Sequence, residues 1–173
     1  MGYAGGARSH PTYHDLDGHS ETVEIDFDPE RISYERLLEI FWRSHDPTRR
    51  AWSAQYKAAV FYHDDRQKRL AEESRDRLAE TLGRTVRTEI LPAGTFWRAE
   101  DYHQKYRLRN DRALMSEFRA MYPSDKDFTD STAVARANAA LSGDVPAAQL
   151  EREIGGYGLS DLGAERLRTY GRG

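Results

Sequence analysis

The 173 residues contain no cysteine. That excludes disulfides, thiolate metal sites and any thiol nucleophile supplied by these residues. Long apolar runs are missing too. None approaches the roughly 20 residues of a membrane span, and no signal-peptide apolar region follows Met1. Neither charge dominates, with 26 Lys+Arg against 29 Asp+Glu and a formal net charge of −3. Such a balance gives no electrostatic case for a nucleic acid or an acidic membrane surface as partner. The glycines of Gly2-Tyr-Ala-Gly-Gly6 lack the preceding strand and the Lys-Ser/Thr of a phosphate cradle. There is no His-Glu-x-x-His helix and no Gly-x-Ser-x-Gly elbow. His14, His19, Glu21, His45 and His103 offer no pair at i, i+4 on a helix, so neither a metal nor a cofactor is expected.

What is present is a chain with 38% apolar and 11% aromatic residues, too rich for disorder. Its length suits one domain with an appendage, and the expected location is the cytoplasm. Residues 2 to 20 read as loop. From Glu21 to Asp28, Val23, Ile25 and Phe27 alternate with charged residues, the period of a half-buried strand. Ser33 is the expected N-cap of a helix whose Tyr34, Leu37, Leu38, Phe41 and Trp42 form one apolar stripe. His45-Asp46-Pro47 stops it. A second strand is expected over 58 to 62. A long helix follows from Asp64-Asp65, with Leu70, Ala71, Leu78 and Leu82 inward and Gly83 just past its end. A third strand is expected over 85 to 91. The order strand–helix–strand–helix–strand indicates an α+β or α/β sandwich. Helical stretches are then expected over 99 to 108, 114 to 121, 132 to 141, 146 to 154 and 161 to 167. The composition divides into residues 1–123 and a helical extension, 124–173.

Tyr13, Glu21 and Tyr56 are the group with chemical interest, since neighbouring strand ends could bring them together. Two phenols and a carboxyl can hold an oxygen-bearing substrate, and a shielded carboxyl can deliver a proton near neutral pH. On chemistry alone the same residues read more readily as a solvated strand-end carboxylate and two surface aromatics.

Ordered motifs extend the reading. Gly2-Tyr-Ala-Gly-Gly6, Pro11-Thr-Tyr13, His19-Ser-Glu21, Asp28-Pro29, Ile32-Ser-Tyr34, Phe41-Trp42 and His45-Asp-Pro-Thr48 come in succession. Gln55-Tyr56, Thr88-Glu-Ile90 and Ala99-Glu-Asp-Tyr-His-Gln104 follow. Over residues 2 to 110 this resembles the peptide-methionine (S)-S-oxide reductases of the MsrA type. The resemblance implies an α+β, ferredoxin-like two-layer core, here without its first strand and helix. It implies a cysteine thiolate that attacks the sulfur of methionine sulfoxide, with thioredoxin or another thiol as the restoring partner. Glu21 matches the family's acid, and Tyr13 and Tyr56 match its two oxygen-binding tyrosines. His45, Asp46, Glu100, Asp101 and His103 would brace the pocket.

The sequence departs from the family in three places. No Gly-Cys-Phe-Trp motif is present, and no C-terminal resolving cysteine. Arg49-Arg-Ala-Trp-Ser-Ala54 stands where many members carry a Gly-rich segment with an aspartate. Met1 stands where the family usually has a strand-ending valine, and GTG encodes valine internally and methionine at a start. The expectation is a reading frame that continues upstream into the cysteine motif. The alternative is a non-catalytic protein that binds methionine or methionine sulfoxide side chains. Val23, Ile25, Phe41 and Trp42 are expected to lack part of their cover.

Overall fold

The computed structural model describes residues 1–171. The chain divides into two compact units, Met1–Ala99 and Glu100–Gly173, a division of packing that falls earlier than the composition change near residue 124. No helix among the described residues is long and apolar enough to cross a membrane.

The first unit holds β1 (Gly2–Ala4), β2 (Ser20–Thr22), α1 (Tyr34–Arg43), β3 (Ala59–Tyr62), α2 (Asp65–Leu82), β4 (Glu89–Pro92) and β5 (Trp97–Arg98). β1 is central in an antiparallel sheet of order β2-β1-β5, with Tyr3 opposite both Glu21 and Trp97. β3 and β4 form a separate parallel pair joined through α2, a β-α-β crossover. The helix ends follow their local chemistry. Ser33 caps α1 by accepting from the Arg36 N–H, and Asp64 caps α2 by accepting from the Gln67 N–H. Gly83 closes α2 at φ +59°, a conformation that costs other residues a Cβ clash. Leu38, Trp42 and Ala71 form the buried contact between α1 and α2. The Trp42 indole donates to Ser74 Oγ at 3.0 Å, which satisfies its one polar atom.

Several expectations are corrected here. The three expected strands are in fact divided between two sheets. Gly2–Ala4, read as loop, is the central strand, because glycine at position 2 lets the backbone approach: a Cβ there would lie 2.3 Å from Phe96 Cζ. Of the alternating run 21 to 28 only the start pairs. Val23 and Ile25 are 59% and 58% exposed, since no partner strand continues beside them. The third strand shrinks to Glu89–Pro92, and Leu82, the last residue of α2, faces solvent. Trp42 is buried, not short of cover.

The second unit is helical: α3 (Tyr106–Arg109), α4 (Arg112–Met121), α5 (Asp125–Asp130), α6 (Thr132–Ala140), α7 (Ala147–Glu153) and α8 (Asp161–Arg168). The expected helix over 99 to 108 is broken into a 3₁₀ turn, Asp101–His103, and the short α3. Lys105, at φ +54°, interrupts the two. Helix α5 was not legible as an element, yet Ser124 caps it by accepting from the Asp127 N–H. Leu108, Leu114, Phe118, Phe128, Val134 and Leu167 are all fully buried in one core.

Candidate active site

The N-terminal glycine-rich segment positions the first phenol. Gly5 and Gly6 turn the chain after β1, and a Cβ on Gly6 would lie 2.3 Å from the His19 backbone nitrogen. That close approach packs residues 7 to 18 as a loop. His19 is buried, with Nε2 donating to the Arg8 carbonyl at 2.9 Å. The loop returns through Ser20 into β2, so Tyr13 sits on an arm anchored at both ends.

Glu21 lies in β2 and is half-buried. Its backbone N–H donates to the Gln55 carbonyl at 3.0 Å, and the Gln55 side-chain amide donates to Glu21 Oε1 at 2.7 Å. Ser20 Oγ adds a third link, donating to the Ala54 carbonyl at 2.8 Å. These bonds bring the loop before β3 against the edge of β2, and with it Tyr56. The expectation put Tyr56 at the head of a strand; it lies instead in the loop, three residues ahead of Ala59.

The Tyr56 hydroxyl is hydrogen-bonded to Tyr13. That bond, then desolvation, then the charge of Glu21 push the Tyr56 phenol above its ordinary value. These causes, with the charge of Tyr13 added, all keep the proton on Tyr56. The structure therefore brings Tyr13, Glu21 and Tyr56 into one cluster. The indole of Trp52 is stacked on the Tyr56 ring, centroids 4.9 Å apart and planes 29° apart.

His45 and Asp46 act locally. His45 Nδ1 donates to the Phe41 carbonyl and Nε2 accepts from Thr88 Oγ1, each at 3.0 Å, so the ring ties the end of α1 to the start of β4. Asp46 Oδ1 accepts from both the backbone N–H and the hydroxyl of Thr48, which lowers its pKa and closes the turn after α1. Glu100, Asp101 and His103 belong to the second unit. There His103 N–H donates to the Glu100 carbonyl at 3.0 Å, and the two side chains stand 3.8 Å apart. Sequence reasoning quoted Gln55 and Trp52 but gave neither a role. The Gln-Tyr pair was the available signal for Gln55; nothing local marked Trp52.

Among the described residues no group of three or more His, Asp or Glu side chains could hold a metal ion. Surface hollows of about 520 Å³ beside Arg75, Gly83 and Arg84 and of about 350 Å³ beside Tyr106, Asp111 and Arg166 have none of Tyr13, Glu21 and Tyr56 in their lining.

A family model described as "Peptide methionine sulfoxide reductase" matches residues 1–134. The chain belongs to the peptide methionine sulfoxide reductase family. It is 46% identical over 116 residues to the peptide methionine sulfoxide reductase MsrA of Acidobacterium capsulatum, covering 61% of this chain and 74% of that one. To the MsrA of Methanothermobacter thermautotrophicus it is 47% identical over 124 residues, covering 65% and 73%. The reduced form of Mxr1 from Saccharomyces cerevisiae superposes with a TM-score of 0.59 at 27% identity, covering 64% of this chain and 70% of Mxr1. The expected α+β fold is that of the family.

Proposed function

We propose that this chain binds the methionine sulfoxide side chain and serves its reduction to methionine, with Tyr13 and Tyr56 donating to the sulfoxide oxygen and Glu21 protonating it. The observation that carries this reading is the hydroxyl pair of Tyr56 and Tyr13 beside the Glu21 carboxylate. The S–O bond is strongly polar, and its oxygen accepts hydrogen bonds well. Donors placed where negative charge is held, and an acid within reach, are what oxygen transfer from sulfur needs.

In the thiol scheme a thiolate attacks the sulfoxide sulfur. The oxygen, protonated through Glu21, passes to the attacking sulfur as a sulfenic acid, and the thioether leaves reduced by two electrons. A thiol then condenses with the sulfenic acid, releasing water and forming a disulfide, and thioredoxin or another thiol reduces that disulfide. These 173 residues supply no thiolate. On their own they are expected to bind sulfoxide and to leave it unreduced in dithiothreitol. A cytoplasmic location fits this reading, since the restoring thiols work in a reducing compartment. The absence of cysteine also favours a second reading, in which the chain is a binder of methionine or methionine sulfoxide side chains with no catalytic step.

A calorimetric titration with N-acetyl-methionine sulfoxide N-methylamide and its thioether counterpart tests the reading. Preference for the sulfoxide, reduced in Tyr56→Phe, is the expected result. Equal affinity for sulfoxide and thioether would remove the oxygen-binding role of the two phenols.

A further inference from the structure

Trp52 is 80% exposed, although an indole is among the costliest side chains to leave in water. Its N–H meets no protein acceptor among the described residues. The ring is nevertheless stacked on the Tyr56 ring at 4.9 Å, and Tyr56 itself is 43% exposed. The pair forms a two-ring ledge at the surface, continuous with the hydroxyl cluster at one end and open to solvent at the other. The loop that carries it is held from behind: Gln55 by Glu21, and Ala54 by Ser20.

We infer that Trp52 is a specificity-determining residue that receives the side chain next to an oxidised methionine, so that the chain favours sulfoxides with an apolar or aromatic neighbour. The inference rests on the sulfoxide reading of Tyr13, Glu21 and Tyr56. A sulfoxide group is small: one sulfur, one oxygen and a methyl. With its oxygen on the phenol hydroxyls, it is too small to cover the whole of an indole that is 80% exposed beside the Tyr56 ring. A ligand that meets both must continue beyond the methionine side chain. A neighbouring apolar or aromatic side chain would cover the exposed indole face, and a peptide carbonyl would accept from the indole N–H.

The test uses the whole chain and three ligands by calorimetry: N-acetyl-methionine sulfoxide N-methylamide, and pentapeptides in which the sulfoxide is flanked by phenylalanine or by glycine. The parent should bind the phenylalanine-flanked peptide about tenfold more tightly than the single-residue ligand, the size of one well-formed aromatic contact. Trp52→Ala should remove that advantage and leave the single-residue ligand within about twofold of the parent, while Trp52→Phe keeps most of it. Tyr56→Phe should weaken all three ligands together. Equal losses for every ligand in Trp52→Ala would make the indole a mere support for Tyr56 and overturn the inference. So would equal affinities of the parent for peptide and single residue, even if Tyr56→Phe still weakens both and the sulfoxide reading stands. If the parent binds no sulfoxide ligand at all, the reading and the inference fall together.

Discussion

The two units of this chain are built to different standards. In Glu100–Gly173 eleven buried side chains among the described residues form one continuous core, with Phe118 and Phe128 at 0% exposure. In Met1–Ala99 the main cluster is only Leu38, Trp42 and Ala71, while Val23, Ile25, Ile40, Trp52 and Tyr56 face solvent. Tyr13, Glu21 and Tyr56 lie in the loosely packed unit, held by hydrogen bonds between loops and short strands. Apolar burial fixes the helical unit; polar stitching fixes the chemical one. A site made this way is positioned by a few specific contacts, so single substitutions should disable it without unfolding the rest.

The largest expected effect is in the helical unit. Phe118→Ala should cost about 3–5 kcal/mol, because it empties a fully enclosed site. Chemical denaturation followed by far-ultraviolet circular dichroism measures it, and a loss below about 1 kcal/mol would show that the core is not the tight packing described. Amide hydrogen exchange should rank the units the same way, with α4 and α6 more protected than β1 and β2.

Next comes Gly6→Ala. The added Cβ would meet the His19 backbone, so the loop that carries Tyr13 must move. Sulfoxide binding should be lost while exchange protection in α4 and α6 is kept. Full binding by this variant would mean that the tight approach of Gly6 to His19 is not what places Tyr13. Gln55→Leu is expected to do less. Loss of one side-chain bond to Glu21 should weaken sulfoxide affinity about fivefold, the equivalent of a single hydrogen bond.

The smallest effect is electrostatic and belongs to the helical unit. Arg119 and Arg109 hold Asp125 down to about 2 from its usual 3.8. The folded state therefore keeps this carboxylate ionised at lower pH than the unfolded chain does. Its contribution is complete above pH 3.8 and is lost as pH falls towards about 2. Denaturation midpoints of Asp125→Asn should show a flatter slope across that window than the parent's, and an unchanged slope would place the acid sensitivity elsewhere.

The same contrast explains what could be read from the sequence. Helix ends were legible because capping is local: Ser33, Asp64 and Gly83 act on neighbours within a few residues. The strand expected over 58 to 62 is present as Ala59–Tyr62, but strand extent and pairing elsewhere were not legible: alternation at Val23, Ile25 and Phe27 says which side chains share a face, and pairing needs a partner brought from elsewhere. The two-residue β5 is too short to show any period, and Gly2 reads as a turn although it permits a strand. The grouping of Tyr13, Glu21 and Tyr56 was legible through family motifs. Its cause was not: the bond from the Glu21 N–H to the Gln55 carbonyl joins residues 34 positions apart, and no local pattern announces it.

The central claim is that the polar cluster of the first unit, and not the well-packed helices, holds the sulfoxide oxygen. Amide chemical-shift mapping with N-acetyl-methionine sulfoxide N-methylamide, on the parent and on the Tyr13→Phe/Tyr56→Phe double variant, tests it directly. The account predicts saturable shifts in the parent centred on residues 13, 20–22 and 52–56, and their loss in the double variant. Shifts confined to the helical unit, or undiminished in the double variant, would contradict it.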